Sequence, residues 1–200
     1  TPATQANATV LLAGRVPMSW DDCWEGPSKP QAWLRGLAAR RMALSQWAAK
    51  VGKSVLGAAL DLSDLFNPGT FLNALRQQTA RELGCAMDTL KMASAWDSSL
   101  LRGAALKVDL HGLMLQGAGF DGSRLEESPP DGAELISAPT CTVAWIPQDD
   151  AMPYDEADSI AVPLYNSTLR ERMLLTLSLP CERGQQHTWI SAGVAVFLCG

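Results

Sequence analysis

Two stretches of this 200-residue chain hold residue types at spacings that could do chemistry. In AAKVGKSVLG, residues 48–57, Gly52-Lys53-Ser54 are the last letters of the phosphate-binding motif G-x-x-x-x-G-K-[ST]. That motif wraps backbone N–H groups around a phosphate between a strand and a helix. Here Trp47 stands where the first glycine belongs, and the preceding segment has helical spacing. The expected structure is a glycine at a helix end followed by a solvated lysine. In GAGFDG, residues 117–122, the glycines fit the dinucleotide fingerprint G-x-G-x-x-G. A helix should follow to receive the pyrophosphate, but SRLEESPPDG follows, with two prolines and no helical periodicity. A hairpin between antiparallel strands is expected.

The remaining candidates are His111, His187 and the pairs Asp21-Asp22 and Asp149-Asp150. His111 lies in an apolar strand and reads as a core or sheet-face residue. The acidic pairs fall in proline-rich turns without further ligands at fixed spacing, which argues against a cation site. No serine stands in G-x-S-x-G, so the hydrolase elbow is missing from the sequence. The five cysteines, Cys23, Cys85, Cys141, Cys181 and Cys199, are odd in number and contain no C-x-x-C. Reduced thiols, rather than a disulfide framework or a zinc site, are the expectation. On the residues alone, no catalytic, cofactor or metal position is assigned.

The net charge of -5 opposes a phosphate-tracking surface, so nucleic acid is not an expected partner. No apolar run reaches the roughly 18 residues of a membrane span. The opening TPATQANATVLLAG lacks the basic start of a secretion signal. The sequons at Asn7 and Asn166 are accordingly read as chance matches.

The elements that must position any site change character near residue 88. Before it, apolar residues recur at helical spacing. A helix is expected to end at Gly14 with no start signal of its own, as though continued from preceding sequence. RVPMSWDDCWEGPSKP, residues 15–30, is a proline- and tryptophan-rich connection. A helix then places Trp33, Leu37, Leu44, Trp47 and Val51 on one face. Asn67 and Pro68 are a capping residue and a first-turn proline for a helix to Leu83, ended by Gly84. Phe71, Leu72, Leu75, Thr79 and Leu83 are its expected buried stripe. From Leu90 on, LKMASAW, ALKVDLHGLMLQGAGFDG, TCTVAWIP, SIAVPLY, RMLLTLSLP and TWISAGVAVFL read as strands separated by turns. Helices first and strands afterwards predict an α+β fold, its strands in an antiparallel sheet or small barrel. The division falls at 1–87, helical, and 88–200, strand-rich.

Several stretches in fixed order, LSDLFNPGTFLNALRQQTAR, HGLMLQGAGFD, VAWIPQD, VPLYNST and TWISAGVAVFL, resemble the C-terminal region of dynein heavy chains. GRVPMSW and SKPQAWLRGLAARRMALSQWAAK resemble its opening part, so nearly the whole sequence is covered. The wording DLSDLF and NALRQQTAR, with the short YNSTLRERMLLTLSLP passage, resembles the dyneins of retrograde intraflagellar transport. Many dyneins carry tryptophan where this protein has Phe120. The resemblance implies a helical part and an incomplete antiparallel β-barrel, packed on one face of the AAA-plus ring of the same heavy chain, opposite the linker. It implies a non-catalytic role in tuning processivity and force, with ATP held by other modules of the parent motor. The implied partners are that ring and, through the whole motor, the microtubule and dynein subunits. The implied setting is cytoplasm, cytoskeleton and cilium or flagellum.

Seven tryptophans are many for this length, and four precede residue 50. Aromatic and arginine side chains dominate interface hot spots, which makes Trp20, Trp24, Arg40 and Arg41 the candidates for contact with the ring. Packing of both tryptophans in the domain's own core is the competing expectation. A barrel that binds a small ligand or docks another protein is the alternative function.

Overall fold

The structure, a computed structural model, describes residues 2–24, 26–50, 60–127 and 135–198. The protein divides into two compact units. One is helical, Thr1–Lys53 with Asp64–Phe66, and the other is strand-rich, Ser54–Ser63 with Asn67–Gly200.

In the helical unit, α1 (Pro2–Leu12) ends as its sequence requires. Gly14 takes φ +71, and the N–H of Arg15 reaches back to the Val10 carbonyl at 3.1 Å. A single turn, α2 (Met18–Asp21), follows Pro17, and α3 (Pro30–Lys50) starts on a proline whose missing N–H is not needed there. Along α3, Trp33 is buried while Leu37, Leu44 and Trp47 are half-buried. Val51 lies outside the described residues.

The strand-rich unit contains α4 (Pro68–Leu83), bounded as the sequence predicts. The Asn67 Oδ1 accepts the Thr70 N–H at 3.0 Å, and Gly84 closes the helix at φ +63. Asn67→Ala should lower stability by about 1 kcal/mol by orphaning that donor, whereas Asn67→Asp should preserve it. Urea unfolding of the two variants measures the difference. The buried stripe is Leu72, Leu75, Thr79 and Ala80. Phe71 is half-buried and Leu83 is 43% exposed, contrary to the stripe expected from spacing. The strand that meets α4 does so at Leu72, about three turns before Leu83, and the backbone reverses directly after the helix.

The strands are β1 (Leu60–Asp61), β2 (Leu90–Ala95), β3 (Lys107–His111), β4 (Leu113–Gln116), β5 (Gly119–Phe120), β6 (Leu125–Glu126), β7 (Ile136–Ser137), β8 (Cys141–Pro147), β9 (Ser159–Tyr165), β10 (Met173–Pro180) and β11 (Ala195–Leu198). One sheet has the order β1-β3-β8-β2 and a second β10-β9-β11-β4-β7, while β5 and β6 pair alone. Most pairings are antiparallel, as expected. Two are parallel, β1 with β3 and β11 with β9, so the sheets are mixed. The second follows from another departure: TWISAGVAVFL is not one strand. Its first half belongs to a short helix, α5 (Gln186–Ser191), ended at Gly193 with φ +70, and only Ala195–Leu198 is strand. Burial of Trp189 on that helix overrides the strand preference of Thr188, Trp189 and Ile190.

Alternation directs Val108 and Leu110 of the first sheet, and Leu113, Leu115, Val162, Leu164 and Leu177 of the second, into full burial, while Val143 and Val196 stand in runs of four consecutive buried residues. The backbone passes from one sheet to the other at Gly112, φ +71, between β3 and β4. At the opposite side β2 and β10 meet through side chains instead of a ladder. The Ser178 N–H donates to Ser94 Oγ at 2.8 Å, and Trp96 Nε1 donates to the Ser178 carbonyl at 2.9 Å. The result is an α+β fold with an incomplete barrel.

Candidate functional site

The aromatic residues of the helical unit assemble around Trp33. Trp20, on α2, and Trp24, just after it, approach Trp33 with ring centroids at 5.0 and 5.4 Å. Phe66 meets Trp24 edge-on at 5.8 Å. Trp33 Nε1 donates to the Trp24 carbonyl at 3.2 Å, which ties the loop to the first turn of α3. Two glycines make the approach possible. A Cβ on Gly26 would stand 2.7 Å from Trp33 Cδ1, and one on Gly36 would stand 2.9 Å from the far edge of the Trp24 ring. The Gly36 gap lets the indole lie against the α3 backbone, and the Arg40 guanidinium stacks on its face at 4.4 Å from the centroid.

Three of the four candidate residues, Trp20, Trp24 and Arg40, are therefore brought into one cluster. The fourth, Arg41, is exposed and turned about 100° around α3 from Arg40. Trp20 and Trp24 are half-buried, with part of their surface facing out. The cluster core, Trp33, is expected on the common face of α3 but not as part of the site, and its outer member, Phe66, is not singled out by the sequence. A glycine inside a helical pattern, such as Gly36, was the available signal of close packing.

A second aromatic–arginine pair stands in the strand-rich unit and has a structural task. Arg76 stacks on Trp145 at 4.7 Å and donates to the Met87 carbonyl through Nε at 2.9 Å and a terminal nitrogen at 2.6 Å. Trp145 Nε1 donates to the Leu72 carbonyl at 3.2 Å, so the pair rivets α4 to β8 and to the turn before β2. Phe120, where many dyneins are expected to carry tryptophan, packs edge-on against Trp96 at 4.7 Å.

The nucleotide-like motifs fare differently. Gly52-Lys53-Ser54 lies outside the described residues, and α3 is the element that leads toward it. GAGFDG forms the expected hairpin, β5 with β6. Two N–H groups of its turn are held by a side chain. Asp121 Oδ1 accepts the Ser123 N–H at 2.8 Å, the Ser123 hydroxyl at 2.8 Å and the Arg124 N–H at 3.1 Å. Chiefly through the Ser123 N–H, these bonds hold the Asp121 carboxyl down at about 2. The Asp121 carboxylate thus closes the hairpin turn through its own downstream N–H groups.

His111 is exposed at the end of β3, and His187 is exposed with its Nδ1 3.4 Å from Ser191 Oγ on the same short helix. Cys23, Cys85, Cys141 and Cys181 are free thiols, and burial pushes those of Cys141 and Cys181 up. Among the described residues no group of three or more His, Cys, Asp or Glu could hold a metal ion, and no helix is long and apolar enough to cross a membrane.

The fold and cluster define an α+β domain with an aromatic–arginine surface on its helices. Residues 1–198 match the family of C-terminal domains of dynein heavy chains. The protein is 44% identical over 195 residues, 97% of its length, to cytoplasmic dynein 2 heavy chain 1 of Mus musculus. It is 38% identical over 207 aligned positions, 97% of its length, to the Chlamydomonas reinhardtii protein of the same name. The dynein beta chain of the flagellar outer arm of Chlamydomonas reinhardtii is 30% identical over 200 positions, which cover 94% of the present sequence. The sequence spans only 4 to 5% of the length of these relatives. It belongs to the family of C-terminal domains of dynein heavy chains.

Proposed function

We propose that this domain is a non-catalytic brace on the AAA-plus ring of a dynein heavy chain, and that it tunes processivity and force in retrograde intraflagellar transport. The observation that carries the reading is the composition of the helical unit's surface. Among its described residues only Trp33, Leu65, Pro17 and Pro30 are buried. Leu12 is 90% exposed and Met18 80%, with Leu34, Met42 and Phe66 also exposed beside the half-buried Trp20 and Trp24. Exposed apolar and aromatic side chains gathered on one small unit support an interface there, and the remaining length of the heavy chain supplies a covering partner in cis. A brace acts by favouring one ring conformation over another, so its contacts must differ between them.

ATP is bound and hydrolysed by other modules of the parent motor, and this domain needs no nucleotide of its own. The microtubule and other dynein subunits are reached only through the whole motor, which works in the cytoplasm and cilium. Titration of the domain with ATP or NAD should give no binding heat, and Lys53→Ala should leave that result unchanged. Micromolar binding lost with Lys53 would overturn the non-catalytic reading. In the full-length motor, removal of residues 67–200 should change run length or stall force while the ATP sites and the microtubule-binding stalk remain. Single-molecule runs and trap forces equal to those of the intact motor would end the regulatory claim.

A further inference from the structure

The turn between β9 and β10, residues 166–172, carries Asn-Ser-Thr-Leu-Arg-Glu-Arg. It is closed by the Asn166 N–H on the Arg172 carbonyl at 3.1 Å and by the Arg170 N–H on the Ser167 carbonyl at 3.2 Å. Arg170 has φ +57, and it is the one non-glycine residue with positive φ among the described residues. A long side group is disfavoured there, so the conformation persists only because surrounding contacts hold it. One terminal nitrogen of Arg170 donates to Gln116 Oε1 at 2.8 Å and to the Gly193 carbonyl at 3.1 Å, and the guanidinium lies 5.6 Å from the ring of Phe197. The arginine thus latches the hairpin tip onto the ends of β4 and β11. All its acceptors are neutral, and no carboxylate pairs with it among the described residues. Two positions earlier, Thr168 is exposed, and Leu169 between them is 74% exposed.

We propose that Thr168 is a phosphorylation site whose phosphate captures Arg170 and releases the latch. An accessible hydroxyl with arginines two and four positions downstream suits a Ser/Thr protein kinase that reads basic residues on the C-terminal side of its target. The Thr168 oxygen attacks the γ-phosphorus of ATP. The new O–P bond forms as the bond to the β–γ bridging oxygen breaks, the hydroxyl proton passes to the kinase's base, and ADP leaves. The product carries close to two negative charges within one turn of Arg170. An arginine–phosphate pair is charge-assisted and can be bidentate, so it outcompetes an amide oxygen and a peptide carbonyl. Leaving the latch also frees Arg170 from its left-handed conformation, which assists the exchange. The proposal is independent of the ring-bracing reading, because every contact in it lies within the strand-rich unit.

The test uses the full-length heavy chain, a kinase that reads basic residues downstream of its target, and ATP, with phosphate located by peptide mass spectrometry and amide exchange followed over residues 166–172. Phosphate should appear at Thr168, vanish in Thr168→Ala and persist in Thr168→Ser. Exchange in the turn should rise at least about tenfold on phosphorylation. Arg170→Gly, which relaxes the backbone but removes the latch, should show that faster exchange without phosphate and no further rise with it. Phosphate on Ser167 instead, no phosphate on either residue, or a phosphorylated protein with unchanged exchange would each overturn the assignment.

Discussion

Gly112→Ala is expected to destabilise the strand-rich unit by about 2–4 kcal/mol in urea unfolding, through two separable costs. Gly112 has φ +71, a conformation that an L residue resists by about 1–2 kcal/mol. A Cβ there would also stand 2.1 Å from Asp61 Oδ2 and 2.6 Å from Asp61 Cγ, far inside contact distance. The Asp61 carboxylate can yield only by giving up the bond in which its Oδ1 accepts the Ser63 N–H at 2.8 Å. That bond holds the turn after β1, whose Leu60 and Asp61 pair with Leu110 and His111 beside the glycine. The steric part should disappear in an Asp61→Ala background while the backbone part remains. The double variant should then be more stable than the sum of the single effects predicts. Strict additivity would show that the carboxylate does not restrict position 112.

Phe197→Ala should cost roughly 3–5 kcal/mol, because the ring is fully buried and its removal leaves a cavity between rigid strands. Phe197 stacks on Tyr165 with centroids at 5.9 Å and a 25° interplanar angle. It lies in β11, opposite Met114 of β4 and beside Tyr165 of β9, so neighbours on both sides are hydrogen-bonded in place and cannot collapse inward. Phe197→Leu, which fills most of the space, should lose much less. A Phe197→Ala stability within about 1 kcal/mol of the parent would mean that the sheet repacks around the gap.

The fold was legible where a local rule and the global structure agree. Asn67, Pro68 and Gly84 each act at a helix end through one or two backbone groups, and α4 begins and stops as they dictate. The strand runs from Leu90 to Pro180 are short apolar-rich stretches between turn residues, and their pairings are mainly antiparallel. Features set by distant partners were not legible. The two-residue β1 exists because β3, some fifty positions later, lies parallel to it, and no pattern in two residues records that. Helix α5 is six residues long with strand-favouring side groups, and only Gly193 marked its end. At the site, Arg40 and Arg41 are chemically identical neighbours. Only the position of the Trp24 ring relative to α3 separates the stacked residue from the solvated one. That position depends on Gly26 and Gly36, whose missing side groups leave no mark in an apolar or charge pattern.

The last strand, β11, does not sit at an edge: it fills the middle of its sheet, with β4 on one side and β9 on the other. Its partners in β4 precede it by about eighty positions, Ala195 facing Gln116 and Leu198 facing Leu113. Pairing across that separation is expected to slow folding of this unit. The β9–β10 hairpin pairs locally, whereas joining it to the β4–β7 pair requires β11 between them, so entry of β11 is the expected late step, to be checked by refolding kinetics of β11 variants. The interval before that insertion is when the protein is most prone to pair wrongly with another copy. Once inserted, β11 cannot leave without separating the sheet into those halves, so its backbone amides should be among the slowest in the molecule to exchange with solvent.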